Sequence, residues 1–205
     1  MSRIVMIRHG ETQWNADRRS QGWMDPPLNE TGMRQAELVG AHVRAHYDFA
    51  RVISSDLARC TMTADALGRE YSKDPLLREI NTGKFGGLKI VEIRERFPDV
   101  VDAWDREYGR APEGESWLDL VARVGRFVAE SGILEIEGDV CLVAHGGTIR
   151  ALLSVFLELH IGAVRYFAQS NTGITVVSRE TVGGAPSFGL DLMNSTEHLR
   201  GRMDG

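Results

Sequence analysis

The sequence predicts an α/β protein, a three-layer α/β/α sandwich around a mainly parallel sheet. Short continuous apolar runs, typical of strands buried on both faces, alternate along the chain with longer segments of helical periodicity. Two of these runs end in a histidine that is followed by glycine. Because ligands bind at the carboxyl ends of strands in such sheets, residues that follow strands are the first candidates for a functional site.

The first elements alternate as this fold requires. Residues 3–7 read as a buried strand, and residues 10–29 are polar, irregular and interrupted by prolines. A helix is predicted over residues 32–46 and a second strand over residues 51–55. The predicted buried face of that helix consists of residues at three- and four-residue spacing: Met33, Ala36, Val39, Gly40, Val43 and Tyr47.

Between the second strand and residue 130, the sequence predicts mainly helices and a loop. A helix that carries Asp56, Arg59 and Cys60 is expected after the second strand, followed by a glycine-rich loop over residues 71–88. Residues 89–112 read as short helical pieces broken by prolines. An amphipathic helix is predicted from 115 to 130, with one apolar stripe: Leu118, Val121, Ala122, Gly125 and Val128.

The last third repeats the design of the first strand. "DVCLVAHGG" (139–147) predicts a buried strand that ends at a histidine, and a helix should follow over 148–157. Residues 173–178 read as a further strand. Alternating Phe188, Leu190 and Leu192 predict another, joined to it as a hairpin through two glycines. We expect one domain over residues 1–205, with a flexible tail from residue 194.

Composition narrows the class of partner. Lys and Arg number 24 against 29 Asp and Glu, a formal net charge of -5, which argues against nucleic acid as the main partner. The two cysteines read as core thiols of a reducing compartment. Without a signal-like or membrane-spanning apolar run, we expect a cytoplasmic protein that does not engage a membrane. A homodimer is compatible with the sequence.

The residues that follow the strands suit phosphoryl chemistry. His9 and His145 end two parallel strands and should face the same crevice, and neutral imidazole is a competent nucleophile near pH 7. Guanidinium groups match the geometry of phosphoryl oxygens, and Arg8 and Arg59 lie beside these strand ends. Glu79, in a glycine-rich loop, is a candidate to protonate a leaving oxygen.

With these residues at its strand ends, the chain resembles the histidine phosphatase superfamily, also called the phosphoglycerate mutase-like family. The resemblance covers nearly the whole chain and rests on five segments in order. They are "IRHGETQWN" (7–15), Gln21-Gly22 with "PLNETG" (27–32), "SSDLARCTMTA" (54–64), the Glu79 loop with "PEGES" (112–116), and "VAHGG" (143–147). One departure is Phe85-Gly86-Gly87, where family members often carry Trp-Glu-Gly.

The resemblance implies a role for each matching residue. His9 would attack phosphorus and become phosphohistidine, and Glu79 would protonate the leaving oxygen and then activate water. The phosphate would be held by a set of polar residues: Arg8, Asn15, Gln21, Gly22, Arg59, His145 and Gly146. It implies no cofactor and no metal, so activity should survive EDTA and should favour mildly acidic to neutral pH.

Several of these assignments have ordinary alternatives. Glu92, Glu95 and Asp74 compete with Glu79 for the acid, and Asn15 and Gln21 could be turn formers. His42 and His46 have the spacing of metal ligands, but without the glutamate of the HExxH motif they read as a solvated helix face. Trp104 and Tyr108 are candidate substrate contacts.

The reaction itself has three readings. The stretch between Glu79 and His145 lacks adjacent arginines and contains "PEGES", which resembles phosphatase members and favours hydrolysis of a small phosphomonoester. A 2,3-bisphosphoglycerate-dependent phosphoglycerate mutase is the first alternative. A non-catalytic phospholigand-binding protein on the same fold is the second.

Overall fold

Six strands form one sheet at the centre of the molecule. The structure is a computed structural model that describes residues 2–107 and 109–202; the side chains of residues 104–107 and 182 also lie outside the description. The strands are β1 (Ser2–Arg8), β2 (Phe49–Ser54), β3 (Ser72–Lys73), β4 (Asp139–Ala144), β5 (Ile174–Val182) and β6 (Ala185–Ser195). Their order across the sheet is β3-β2-β4-β1-β5-β6.

The predicted α/β fold with a mainly parallel sheet is confirmed. Strands β3, β2, β4 and β1 run parallel, whereas β5 and β6 form an antiparallel hairpin at one edge. This hairpin is the one predicted from its two glycines, and both adopt positive φ in the turn, where an L side chain would be strained.

Helices cover both faces of the sheet. They are α1 (Gln13–Ala16), α2 (Glu30–His46), α3 (Ala58–Asp65), α4 (Ile90–Arg96), α5 (Pro98–Glu107), α6 (Trp117–Glu130), α7 (Gly146–Phe156) and α8 (Ile161–Val164). Alternate residues of β1 enter opposite cores: Ile4 and Met6 pack with α6 and α7, and Val5 and Ile7 pack with α2 and α3. Among the described residues, no helix is long and apolar enough to cross a membrane.

Two predicted helix faces need correction. Helix α6 buries a face that shares only Val128 with the predicted stripe: Trp117, Leu120, Val124, Phe127 and Val128. Leu118 from the predicted stripe is 55% exposed, and Met33 of α2 is 42% exposed. Both stripes of α6 have helical spacing, and the one with the larger side chains fills the space beside α7, because burial of apolar area decides the face.

Some element boundaries also differ from the prediction. Helix α3 begins at Ala58, so Asp56 precedes it and instead pairs with Arg78. Helix α7 starts at Gly146, directly after the histidine. The segment expected to be flexible from residue 194 continues as β6 and a 3-10 helix, Glu197–Leu199, in the part described up to residue 202.

This last helix contributes a buried histidine whose protonation opposes folding. His198 is 7% exposed, and its Nε2 lies 3.0 Å from Thr172 Oγ1. Burial, and then the charge of His42, lower the pKa of His198 from 6.5 to about 4. As the pH falls, His198 is therefore protonated in the unfolded chain before it is protonated in the folded one. The free energy of unfolding is unaffected by this group above about pH 6.5 and decreases as the pH falls towards about 4.

We expect His198→Gln to reduce the acid sensitivity of stability. Between pH 7 and pH 5 the wild-type chain should lose on the order of 1–2 kcal/mol more unfolding free energy than the variant. Urea unfolding at the two pH values measures both losses. Equal losses in the two proteins would contradict the account.

Candidate active site

The two histidines predicted at strand ends meet at the carboxyl edge of the sheet. Strands β1 and β4 are parallel neighbours with Arg8 opposite Ala144, so the next residues, His9 and His145, lie side by side. Their ring centroids are 5.2 Å apart at an interplanar angle of 62°. Both are buried, His9 at 2% and His145 at 0% exposure.

His9 is held in the form that a nucleophile needs. Its Nδ1 lies 2.7 Å from the carbonyl oxygen of Gly10. Because a carbonyl can only accept, Nδ1 carries the hydrogen and Nε2 keeps its lone pair. Burial, then the charges of Arg59 and Arg8, hold the pKa of His9 well below its usual value, so the ring is neutral at physiological pH.

His145 has protein partners on both ring nitrogens. Arg59 Nε donates to Nδ1 at 3.2 Å, and Nε2 lies 2.9 Å from Ser55 Oγ. Because arginine can only donate, Nε2 is the nitrogen that carries the hydrogen. His145 therefore orients Arg59 beside His9.

Arg59 is fully buried under the site. Its two Nη atoms donate to the carbonyl oxygens of Met24 and Gly22, each at 2.8 Å. Helix α3 supplies this arginine, and Thr63 one turn later accepts a hydrogen bond from the Gly10 amide at 3.0 Å. The start of α3 is thus connected to the loop that carries His9.

Arg8 retains a donor without a partner. Its Nη1 donates to the Gln169 carbonyl at 2.6 Å, whereas its buried Nε has no hydrogen-bond partner among the described residues. Burial is the main cause that lowers the pKa of Arg8 to about 10, which leaves it charged at neutral pH. A buried cation with an open donor favours an anion beside it.

Glu79 lies over the start of α7. Its Oε2 accepts from the Gly147 amide at 3.1 Å and its Oε1 from its neighbour Ile80 at 2.8 Å. Two side chains fix the loop by donating to the Glu79 carbonyl oxygen. They are Arg123, through Nη2 at 3.0 Å, and Trp23, through Nε1 at 2.8 Å.

The competing acids have structural roles elsewhere. Glu92 accepts from the Lys89 amide at 2.6 Å at the start of α4, and Asp74 accepts from the Leu76 amide at 2.8 Å. Glu95 is exposed on α4. Of the four candidate acids, Glu79 is the one that contacts the helix after His145, and its role as the acid stays a prediction.

The remaining predicted residues shape the rim of the site. Asn15 Oδ1 and Gln21 Oε1 both accept hydrogen bonds from Thr12, and a role of either residue in binding phosphate stays a prediction. Gly22 adopts φ +50 and offers its carbonyl to Arg59. Gly146 lies between two guanidinium groups, those of Arg8 and a residue not predicted, Arg150.

Sequence reasoning missed Arg150, Ser55 and Asn171. Asn171 Nδ2 donates to the His9 carbonyl at 3.0 Å from the loop before β5. Only Arg150 left a usable signal, because it stands four residues after Gly146 and hence on the same face of a helix. Tyr108, a candidate contact, lies outside the described residues, as does the side chain of Trp104.

In the part of the chain that the structure describes, no group of three or more histidine, cysteine or acidic side chains is arranged to hold a metal ion. His42 and His46 instead stack their rings, with centroids 4.3 Å apart. The positive charges at the histidine pair come from arginines.

Neutral buried imidazole, open guanidinium donors and a facing carboxylate define a protein that can handle a phosphoryl group. The chain belongs to the histidine phosphatase superfamily (branch 1), whose family model matches residues 4–187. The resemblance seen in the sequence is therefore confirmed.

Relatives and solved structures extend over nearly the whole chain. A Yersinia pestis protein named "Probable phosphoglycerate mutase GpmB" is 35% identical over 97% of this chain and 95% of its own length. A mycobacterial glucosyl-3-phosphoglycerate phosphatase, solved with VO3, has a TM-score of 0.85 at 33% identity, covering 96% of this chain and all of that one. An Entamoeba histolytica phosphoserine phosphatase, solved with phosphoserine, has a TM-score of 0.82 at 26% identity, covering 97% and 100%.

Proposed function

We propose that this chain is a metal-independent phosphomonoesterase that hydrolyses a small phosphorylated metabolite through a phosphohistidine on His9. The observation that carries the proposal is the state of His9: a buried, neutral ring with Nδ1–H bound to a carbonyl and Nε2 left with its lone pair. A histidine with a structural role only would not need this lone pair beside buried guanidinium groups.

In the first half-reaction His9 Nε2 forms a bond to phosphorus while the bond to the substrate oxygen breaks. Arg8 Nε and the remaining N–H groups of Arg59 would bind the phosphoryl oxygens, where negative charge is spread in the transition state. Glu79 gives its proton to the leaving oxygen, so that the alcohol leaves neutral.

In the second half-reaction water takes the place of the alcohol. Glu79, now a carboxylate, removes a proton from the water as its oxygen bonds to phosphorus. The N–P bond breaks, inorganic phosphate forms and His9 returns to its neutral state. The same site therefore serves both steps with one acid that alternates between its two forms.

A phosphoglycerate mutase shares the first half-reaction and is the second candidate. The Yersinia relative's name favours it, whereas the structural neighbours named above are phosphatases. The two reactions differ in whether the phosphoryl group goes to water or back to the ligand. A phospholigand-binding protein is the third candidate, and the presence of both a nucleophile and an acid argues against it.

The deciding experiment is a screen of phosphomonoesters in EDTA, with release of inorganic phosphate as the readout. We expect hydrolysis of at least one small phosphomonoester, and a protein-bound phosphoryl group that acid releases and alkali does not. Turnover of 3-phosphoglycerate that requires 2,3-bisphosphoglycerate would favour the mutase instead. A strict requirement for a divalent metal would contradict the mechanism.

A further inference from the structure

We infer that Arg150 binds a carboxylate on the alcohol part of the substrate, so that the preferred substrates are phosphomonoesters of small hydroxy acids. The inference rests on the proposed function and specifies its substrate class. Arg150 is half-buried on the second turn of α7, and sequence analysis assigned it no role.

The guanidinium group of Arg150 is fixed but not saturated. Its Nε donates to the Phe167 carbonyl at 2.7 Å, and Arg8 is held by Gln169 of the same loop. A Cβ placed on Gly146 would lie 3.5 Å from Arg150 Nη1 and 3.6 Å from Arg8 Nε. The two guanidinium groups thus lie within contact distance of one point beside Gly146, so the two cations are neighbours.

Neither arginine has a dedicated counter-ion. Among the described residues, no carboxylate lies within salt-bridge distance of Arg8 or Arg150. Burial lowers the pKa of both arginines, and the charge of the nearby acid, Glu79, opposes that lowering. When Glu79 holds the proton required by the leaving oxygen, the two cations are left without a compensating charge, which favours a second anionic group on the substrate.

The position of Arg150 assigns it to the leaving group rather than to the phosphate. Arg8 directly precedes His9 and Arg59 donates to His145, whereas Arg150 lies one turn along α7 from Gly146 and Gly147, and the Gly147 amide binds Glu79. In the proposed reaction Glu79 gives its proton to the oxygen that leaves with the alcohol. An anion beside Glu79 and Arg150 therefore belongs to the alcohol, and a planar carboxylate matches the fork of a guanidinium group.

Two substrate pairs that differ in the carboxylate test this inference. They are 3-phosphoglycerate against glycerol 3-phosphate, and phosphoserine against phosphoethanolamine. We expect the wild-type enzyme to prefer the carboxylated member in kcat/KM. We expect Arg150→Gln to lower that preference about 10- to 100-fold, the range for a charge-assisted pair, chiefly through KM.

Arg150→Lys, which keeps the charge without the fork, should give an intermediate preference. The matched control is Arg126→Gln, because Arg126 is an exposed arginine beside Glu130 on α6. This variant should keep the wild-type preference. A preference changed less than twofold in Arg150→Gln would overturn the inference.

Binding to the His9→Gln protein separates this inference from the proposed function. Calorimetry with 3-phosphoglycerate and glycerol 3-phosphate compares the two ligands without turnover. Tighter binding of the carboxylated ligand that disappears with Arg150→Gln supports the inference even if the reaction class is wrong. Equal binding of the two ligands overturns it even if the enzyme is a phosphatase.

Discussion

His9→Gln is expected to lower kcat for phosphomonoester hydrolysis by on the order of 10⁴-fold or more. Glutamine can keep a hydrogen bond to the Gly10 carbonyl, but it has no ring nitrogen with a lone pair for phosphorus. The covalent route is then closed, and only binding and charge stabilisation remain. Steady-state release of phosphate, together with a search for the phosphorylated protein, measures the loss.

The control is a histidine of the same chain outside the site. His46 is exposed at the far end of α2, so His46→Gln should keep wild-type turnover and melting temperature. Residual activity of His9→Gln above about a hundredth of wild type would show that His9 is not the nucleophile.

Gly147→Ala is expected to lower kcat by about 10²- to 10³-fold by moving the acid. A Cβ on Gly147 would lie 2.3 Å from Glu79 Oε1 and 3.2 Å from its carboxyl carbon, so the carboxylate has to leave its position. Glu79→Gln should give a loss of similar order, because general acid catalysis contributes typically 10²–10⁴-fold.

The leaving group distinguishes this effect from simple damage to the fold. A p-nitrophenyl leaving group departs without a proton, so both variants should lose much less activity on its phosphate than on an alkyl phosphate. Gly125→Ala is the matched control, since a Cβ there meets only Val155 at 4.0 Å and alanine favours a helix. Equal losses on both substrates would argue that Glu79 is not the acid.

Much of this arrangement could be predicted from two short segments. An apolar run that ends in histidine, present twice, was enough to predict two histidines that face one crevice, because carboxyl ends of parallel strands share one edge. That the two strands are direct neighbours came from the structure. Arg59 followed from the same logic, and it lies at the start of the helix after β2.

What the sequence could not provide depends on contacts between distant segments. Both ring nitrogens of His145 have hydrogen-bond partners, Arg59 and Ser55. These partners determine whether a nitrogen of His145 is available to a phosphate, and the sequence did not reveal them. The buried face of α6 depends on the shape of α7, because both of its apolar stripes have the right period. Arg150 has only its spacing from Gly146 as a signal in the sequence, and its position depends on the folded loop that carries Phe167 and Gln169.

The chain between Glu79 and Ser116 has a small core of its own, made by Phe85, Ile93 and Ala111 with apolar neighbours on α4 and α5. It shares no buried residue with the two large cores that support the strands of His9 and His145. Mutations that change the shape of the segment between Glu79 and Ser116 can therefore leave the histidine pair undisturbed. The fold thus keeps the histidine pair and the segment between Glu79 and Ser116 on separate cores, so the segment can change shape while the strands below the histidines stay in place.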